Sequence, residues 1–312
     1  MTVLVVGAAG QLGFAVARLL SRDHDVVSWT RAELDVTQHG QVLDMVRNLC
    51  PAVIINCAAY NNVDGAEDAA FEALAVNTFA VRSLALAAAE INAVLVHYGT
   101  DFVFDGSATT PYREEQLPNP QSIYATSKLL GEWFATSASR HYVLRVESLF
   151  GGGAHLSPEG IRRGSSLDHI VDALLEDREV RVFVDRTVSP SYVDDVAGAT
   201  ARLLERGAPH GLYHCVNSGM ATWHEVVTEA AHQLGRTGRL IPVRMADVTL
   251  RAQRPLFCAL SNAKLAHAGV QMPTWRDALE RYLRRRLEPA VAGARERRRL
   301  GPVPQPRSRD TR

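Results

Sequence analysis

The stretch "TVLVVGAAGQLGFAVARLL" (2–20) narrows the possible folds more than any other part of the chain. A β-branched run, Thr2–Val6, meets glycines at 7, 10 and 13, and an amphipathic pattern of helical period follows at once. At such a junction Gly7 allows the tight turn, Gly10 lets a diphosphate approach the backbone, and Gly13 permits close helix–strand packing. The first N–H groups of the helix then point at the phosphates. Gly7, Gly10, Gln11, Leu12 and Gly13 are therefore candidate positions for holding a dinucleotide.

Downstream, short apolar runs alternate with helical patterns. Asp25–Trp29, Ala52–Asn56, Ala93–Tyr98 and Tyr142–Val146 are apolar on both faces, as buried parallel strands are. Helical spacing fills the intervals near 11–21, 38–49, 66–90 and 124–138. Such alternation implies βαβ units with right-handed crossovers. The expected fold class is α/β, a Rossmann-type doubly wound parallel sheet with a smaller mixed α/β substrate lobe. The expected boundaries are 1–148 for the dinucleotide-binding domain, 149–286 mainly for the substrate lobe, and 287–312 for a basic disordered tail. A helix near 193–205 is expected to return to the first domain. Gly151–Ser166 reads as a glycine-rich loop long enough for a mobile lid. From Leu287 onward the chain is too poor in apolar residues to fold.

Charge and cysteine usage exclude some classes. Acidic and basic residues balance at 34 each, but eleven arginines from Arg281 to Arg312 face only Glu288, Glu296 and Asp310. The tail is thus +8 and residues 1–280 are −8. An acidic body argues against nucleic acid as a partner. Cys50, Cys57, Cys215 and Cys258 are scattered without a Cys-x-x-Cys pair, so free thiols are expected. The start has no basic leader and no segment reads as a membrane span, so the expected location is the cytoplasm.

At the end of the second strand an acid would bind the adenosine ribose of NAD. Here "VVSWTRAELD" ends that strand with Ser28, Thr30 and Arg31 and offers no carboxylate there. A hydroxyl and a guanidinium suit a 2′-phosphate, which favours NADPH and leaves NADH possible. Asp35, followed by Val36, meets either the adenine edge or the turn that comes after it.

Of 34 basic residues only Lys128 and Lys264 are lysine. Lys128 stands four residues after Tyr124 in a helical segment, so the two share a face. A phenol with a pKa of about 10 is a poor acid–base group at neutral pH, and a nearby ammonium is expected to lower it. A compact ammonium also reaches ribose hydroxyls where a broad guanidinium fits less well. Thr100, in "LVHYGTDFVFDG", should stand at the carboxyl end of the fourth strand and hold a substrate carbonyl. Thr100, Tyr124 and Lys128 are the candidate catalytic residues.

Together these features resemble an extended short-chain dehydrogenase/reductase. Within that superfamily the stretches "GAAGQLG", "NCAAYNNVDGAE", "VNTFAVRSLA", "GTDFVFDG", "PYREEQLPNPQSIYATSKLLGE", "SPSYVDDVA", "GLYHCVNSG" and "RPLFCALSNAKL" resemble the dTDP-4-dehydrorhamnose reductase family. The resemblance implies NADPH-dependent reduction of a dTDP-4-keto-6-deoxyhexose, with Tyr124 as proton donor. It also implies that Ala58, Ala59 and Tyr60 line the cofactor groove. Asn61, Val63, Thr100, Asp101, Val103 and Tyr124 are expected to face the sugar.

This chain departs from the family pattern at several points. Many relatives have Ser-Thr-Asp where this chain has Gly99-Thr100-Asp101. Many have Thr-Ser-Trp where it has Val146-Glu147-Ser148, which leaves the identity of the sugar open. Some members hold a dimer-linking metal with an acid at the position of Ala15, so no metal is expected, and a monomer or homodimer fits equally. Phe102 stands where nucleotide-sugar dehydratases carry a glutamate, which argues against dehydration. The alternatives are a reductase of another nucleotide 4-ketosugar, an epimerase, or a non-catalytic regulatory subunit resembling the methionine adenosyltransferase β subunit.

Overall fold

The computed structural model describes residues 1–152 and 164–300, with side chains as far as Leu287. Six parallel strands form the main sheet: β1 (Thr2–Val6), β2 (Asp25–Trp29), β3 (Val53–Asn56), β4 (Val94–Thr100), β5 (His141–Val146) and β6 (Gly211–His214). Their spatial order is β6-β5-β4-β3-β1-β2. The chain leaves β1 toward β2 and then returns to β3 on the other side, so the order reverses between β1 and β3. In open α/β sheets ligands bind outside the carboxyl ends of the strands at such a reversal.

Alternation along each strand divides the core between the two faces. Val3, Val5, Ile55, Val96 and Leu144 pack on one side, against α1 (Gln11–Leu20) and residues of the smaller lobe. Leu4, Val6, Ile54, Leu95 and Val143 pack on the other, against α2 (His39–Leu49) and α3 (Ala70–Glu90). Helix α4 (Ile123–Ala135) covers β4, and α5 (Val193–Arg206) lies beside α1, joined by an Arg18–Asp194 ion pair at 2.8 Å.

Two sequence expectations change here. Within 149–286, expected mainly in the smaller lobe, Gly211–His214 is instead the edge strand of the main sheet, paired in register with Tyr142–Arg145. Ala70–Glu90 also has the length and mean hydropathy (1.3) of a membrane span, although none was expected. Ala80, Val81, Leu84, Ala85 and Ala88 explain that composition, because they are buried against the sheet. Long apolar helices arise in soluble cores for this reason.

The smaller lobe contains helices Ser166–Leu175 and Trp223–Gln233 and a parallel strand pair, Glu179–Phe183 with Arg239–Val243. The last helix, Trp275–Leu300, docks through the Tyr282 hydroxyl, which donates to Asp168 at 2.6 Å. Its backbone continues past Arg286, where the sequence reading ended the folded part. Residues 301–312 of the expected tail, and residues 153–163 of the expected lid, lie outside the described residues. All four cysteines are free thiols.

Candidate active site

The glycine turn takes the form its spacing requires. Gly7 has φ +76°, and a Cβ there would meet the Ala58 backbone N at 2.5 Å. A Cβ on Gly13 would lie 2.3 Å from the Gly7 carbonyl. A Cβ on Gly10 would meet only that same carbonyl, at 3.3 Å. Gly10 is also the N-cap of α1 and offers no side chain to its first turn. The cradle therefore opens beside Gln11 and Leu12, as a diphosphate needs. Gly152, after β5, passes so close to Gln11 that a Cβ there would lie 2.3 Å from it.

At the adenosine end the structure adds a group that the sequence reading missed. Glu33 turns back onto Thr30 and accepts from its N–H at 2.8 Å and from its hydroxyl. A carboxylate does therefore stand at the end of β2. Arg31 is exposed beside it, and its charge helps hold the Asp35 carboxyl below the usual range, behind the larger effect of Thr37. Asp35 accepts from the Thr37 N–H at 3.0 Å and hydroxyl at 2.8 Å, so it caps the turn before α2. Val36 is buried in the adjoining core.

Between β3 and α3 the chain carries Ala58, Ala59 and Tyr60 past the glycine turn, all half-buried. The Ala58 N–H donates to Asn56 at 3.1 Å, and the Tyr60 N–H donates to Asn77 Oδ1 at 2.8 Å. Asn77 lies in a single π turn of α3, Ala75–Phe79. Its amide also donates to the Tyr60 carbonyl (3.1 Å) and the Ser127 hydroxyl (3.0 Å). This residue, unmarked in the sequence reading, ties the cofactor-side loop to the helix that carries Tyr124.

Helix α4 starts where Ser122 accepts from the Ala125 N–H at 3.2 Å and Glu67 accepts from the Ile123 N–H at 2.9 Å. Tyr124 and Lys128 are both buried, on one face of it. The Tyr124 ring packs with Tyr60, Val63 and Ile123 and meets Phe102 edge-on at 5.6 Å. Thr100, at the carboxyl end of β4, accepts from the Phe102 N–H (3.3 Å) and donates to Asp101 Oδ1 (3.0 Å). Burial pushes the Tyr124 phenol up, the Asp101 carboxylate adds to this, and the adjacent Thr100 hydroxyl offsets part of it. Thr100, Tyr124 and Lys128 are thus brought together.

One expected detail is reversed. The Lys128 ammonium donates to the Tyr98 carbonyl at 2.6 Å, and the phenol is raised rather than lowered. A dry pocket penalises phenolate more than any nearby cation relieves it. Burial brings Lys128 itself down to about 8, against the pull of Glu132.

A family profile described as RmlD substrate binding domain matches residues 1–287. The chain belongs to this RmlD family. A dTDP-4-dehydrorhamnose reductase of Streptomyces griseus is 33% identical over 313 residues, covering 97% of each chain. The spore coat polysaccharide biosynthesis protein SpsK of Bacillus subtilis (strain 168) is 31% identical over 287 residues, covering 91% of this chain and 97% of its own. Among solved structures, dTDP-4-dehydrorhamnose reductase from Bacillus anthracis str. Ames in complex with NADP superposes with TM-score 0.84 at 29% identity, over 90% of this chain and 98% of its own. The resemblance read from the sequence is borne out, as is the Rossmann-type fold. The RmlD relatives named here as reductases are nicotinamide-dependent oxidoreductases.

Within the RmlD framework, the departures noted above acquire physical reasons. A Cβ on Gly99 would lie 2.2 Å from Glu132 Oε1. Glycine there leaves room for the buried Glu132–Arg145 pair, which is bridged at 2.8 Å. Expected sugar-facing residues divide into two groups. Asn61 is exposed and Val63 half-buried, whereas Asp101 is 3% exposed and Val103 is completely buried. Val103 packs with Phe104, Tyr112 and Leu129 in a small core of its own, so it supports the pocket from behind. Asp64, next to Val63, accepts from Arg254 at 2.7 and 3.1 Å and so closes this corner from the smaller lobe.

Proposed function

We propose that the protein reduces the C4 ketone of a nucleotide-linked 6-deoxyhexose, with dTDP-4-dehydro-L-rhamnose to dTDP-L-rhamnose as the first candidate reaction. One observation carries the reading. The Thr100 and Tyr124 hydroxyls meet at the carboxyl end of β4, with the Lys128 ammonium held on the Tyr98 carbonyl of the same strand.

NADPH, with NADH as second candidate, supplies hydride when bound. The glycine turn and the open start of α1 fit its diphosphate. Thr30 and Arg31 fit a 2′-phosphate, Asp35 and Val36 border the adenine side, and Ala58, Ala59 and Tyr60 the nicotinamide side. Lys128 would leave the Tyr98 carbonyl for, or share it with, the ribose hydroxyls. Thr100 orients the substrate carbonyl by hydrogen bonding, and Tyr124 gives its proton to that oxygen as negative charge develops. A phenol held well above its ordinary pKa suits this direction, because the donor must keep its proton until the hydride arrives. Asn61 and Val63 border the sugar.

Glu147 and Ser148, in place of the Ser-Trp of many relatives, favour a 4-ketosugar other than the rhamnose precursor as the second candidate. Both readings are tested by offering purified protein NADPH and a panel of dTDP-4-keto-6-deoxyhexoses, with NMR of the products. NADPH oxidation with a C4-reduced product is expected. No oxidation with any member of the panel would overturn the reading.

A further inference from the structure

Directly behind Thr100 the chain buries an acid pair that the steps above do not use. Asp101 follows Thr100, and Glu147 follows the neighbouring strand β5, whose Val146 pairs with Thr100. The chain turns at Ser148, with φ 44°. Glu147 is 1% exposed and accepts from the Ser189 N–H at 2.7 Å through Oε2. Reactive atoms of Asp101, Glu147 and Cys258 all lie within 4.8 Å of one another. Arg186 reaches the same cluster, with its guanidinium 3.7 Å from Cys258 Sγ and above the Phe102 ring. Tyr124 completes the titratable surroundings, on the far side of Thr100.

The hydrogen bonding of this cluster is incomplete. Asp101 Oδ2 and Glu147 Oε1 are both buried, and neither has a hydrogen-bond partner among the described residues. Two carboxylates can only accept, so a fully ionised pair leaves both oxygens unsatisfied beside each other. One added proton turns one acid into a donor toward the other. Burial pushes both carboxyls up in pKa and the Asp101 charge adds to this at Glu147, whereas Arg186 opposes it at both, with Thr100 and Cys258 helping at Asp101 and Ser189 at Glu147. Like charges this close in a dry site make the doubly ionised pair unfavourable, so at rest one proton is retained. The positive charge of Arg186 also makes the cluster a poor cation site.

We propose that Asp101 and Glu147 hold one proton between them and return it through Thr100 to Tyr124 after each reduction. The step rests on the reductase reading above. When the phenol O–H breaks, its proton passes to the sugar alkoxide formed by the hydride. The Thr100 proton then moves to the phenolate oxygen, and the Asp101 carboxyl, which meets Thr100 through Oδ1, turns to give the shared proton to the Thr100 oxygen. The pair is left as two carboxylates beside Arg186 until water restores the proton. No oxidation state changes in this transfer. Glu147 touches neither substrate nor cofactor in this scheme, and so acts as a positioning residue through Asp101.

The shared proton is read by infrared titration of the protein without cofactor. Wild type should keep a protonated-carboxyl C=O band at neutral pH, and Glu147→Gln should lose it. Absence of the band in wild type, or its survival in Glu147→Gln, overturns the shared proton. Should that variant not fold, Asp101→Asn must move the midpoint of the band; an unmoved midpoint overturns it equally. Loss of the band on adding Mg2+ or Zn2+ would make the cluster a metal site instead. With a reducible ketosugar, the alkaline limb of kcat/KM should move to lower pH by about one unit in Glu147→Gln, since a lone Asp101 gives up its proton earlier. A limb that stays in place overturns the relay. Failure of wild type to turn over any ketosugar counts against the reductase reading, and the infrared result still decides the shared proton.

Discussion

At the scale of single residues, Tyr124 and Lys128 carry the sharpest expectations. Tyr124→Phe keeps the ring against Phe102 and loses the proton, so turnover should fall roughly 10²–10⁴-fold with little change in NADPH affinity. Stopped-flow reduction and cofactor titration measure the two separately. Lys128→Arg keeps the charge but must place a guanidinium in a site that holds a compact ammonium 2.6 Å from a carbonyl. Most of the activity should be lost while the fold persists, as read by circular dichroism beside the assay. The lowered pKa of Lys128 also fixes the sign of a stability effect. Between about 8 and its ordinary 10.5 the unfolded chain binds this proton and the folded chain does not. Stability from this group therefore rises with pH across that window, being lowest below about 8. Denaturant titrations from about pH 7 to about pH 10 should show wild type gaining on Lys128→Met, by roughly 3 kcal/mol at most. A stability difference that does not shift in favour of wild type as pH rises would contradict the burial of a charged lysine.

At the scale of elements, the π turn in α3 carries the most testable consequence. Asn77 spends its side chain on three bonds to Tyr60 and Ser127. Asn77→Ala should destabilise the protein by about 1–3 kcal/mol, because half-buried backbone groups of Tyr60 and the buried Ser127 hydroxyl lose their partner. Cofactor affinity should fall with it, since the loop beside Gly7 loosens; calorimetry of NADPH binding checks this. Periodicity made five strands of the sheet and the helix of Tyr124 legible in advance, because short β-branched runs alternate with helical spacing, even where, as in Asp25–Trp29 at the sheet edge, the strand is partly exposed. It could not reveal the sixth, since four residues of "GLYH" look the same in either lobe. The contacts of Asn77, Glu33 and Glu147 were equally hidden. Each depends on where a side chain lands after the chain has folded back on itself, and no local spacing encodes that. In the sequence Glu147 marks only a departure from the family pattern; its meeting with Asp101 comes from the register of β4 with β5.

At the scale of the whole molecule, the substrate side is assembled from both halves of the chain. Asp64 of the short helix Val63–Ala66 binds Arg254 and the Ala252 N–H, and Asp68 pairs with Arg251. On the opposite flank, Asp194 and Asp195 at the start of α5 bind Arg285 and Arg281 of the last helix. Asp64→Ala should cost about 1–3 kcal/mol, the usual worth of hydrogen bonds to a charged group. Differential scanning calorimetry should show this as a lower melting temperature with one transition retained. Two separated transitions would mean that the halves are independent, contrary to a sheet they share.

That shared sheet has a consequence for synthesis. Strand β5 leaves the ribosome long before β6, its partner on the outer edge. Throughout that interval the nascent sheet ends in the open backbone of Tyr142–Arg145, later covered by Gly211–His214. An unpaired edge of this kind is a template for association with other chains. The protein is therefore most exposed to aggregation while Thr100, Tyr124 and Lys128 are already made and the last strand of its main sheet is still to come.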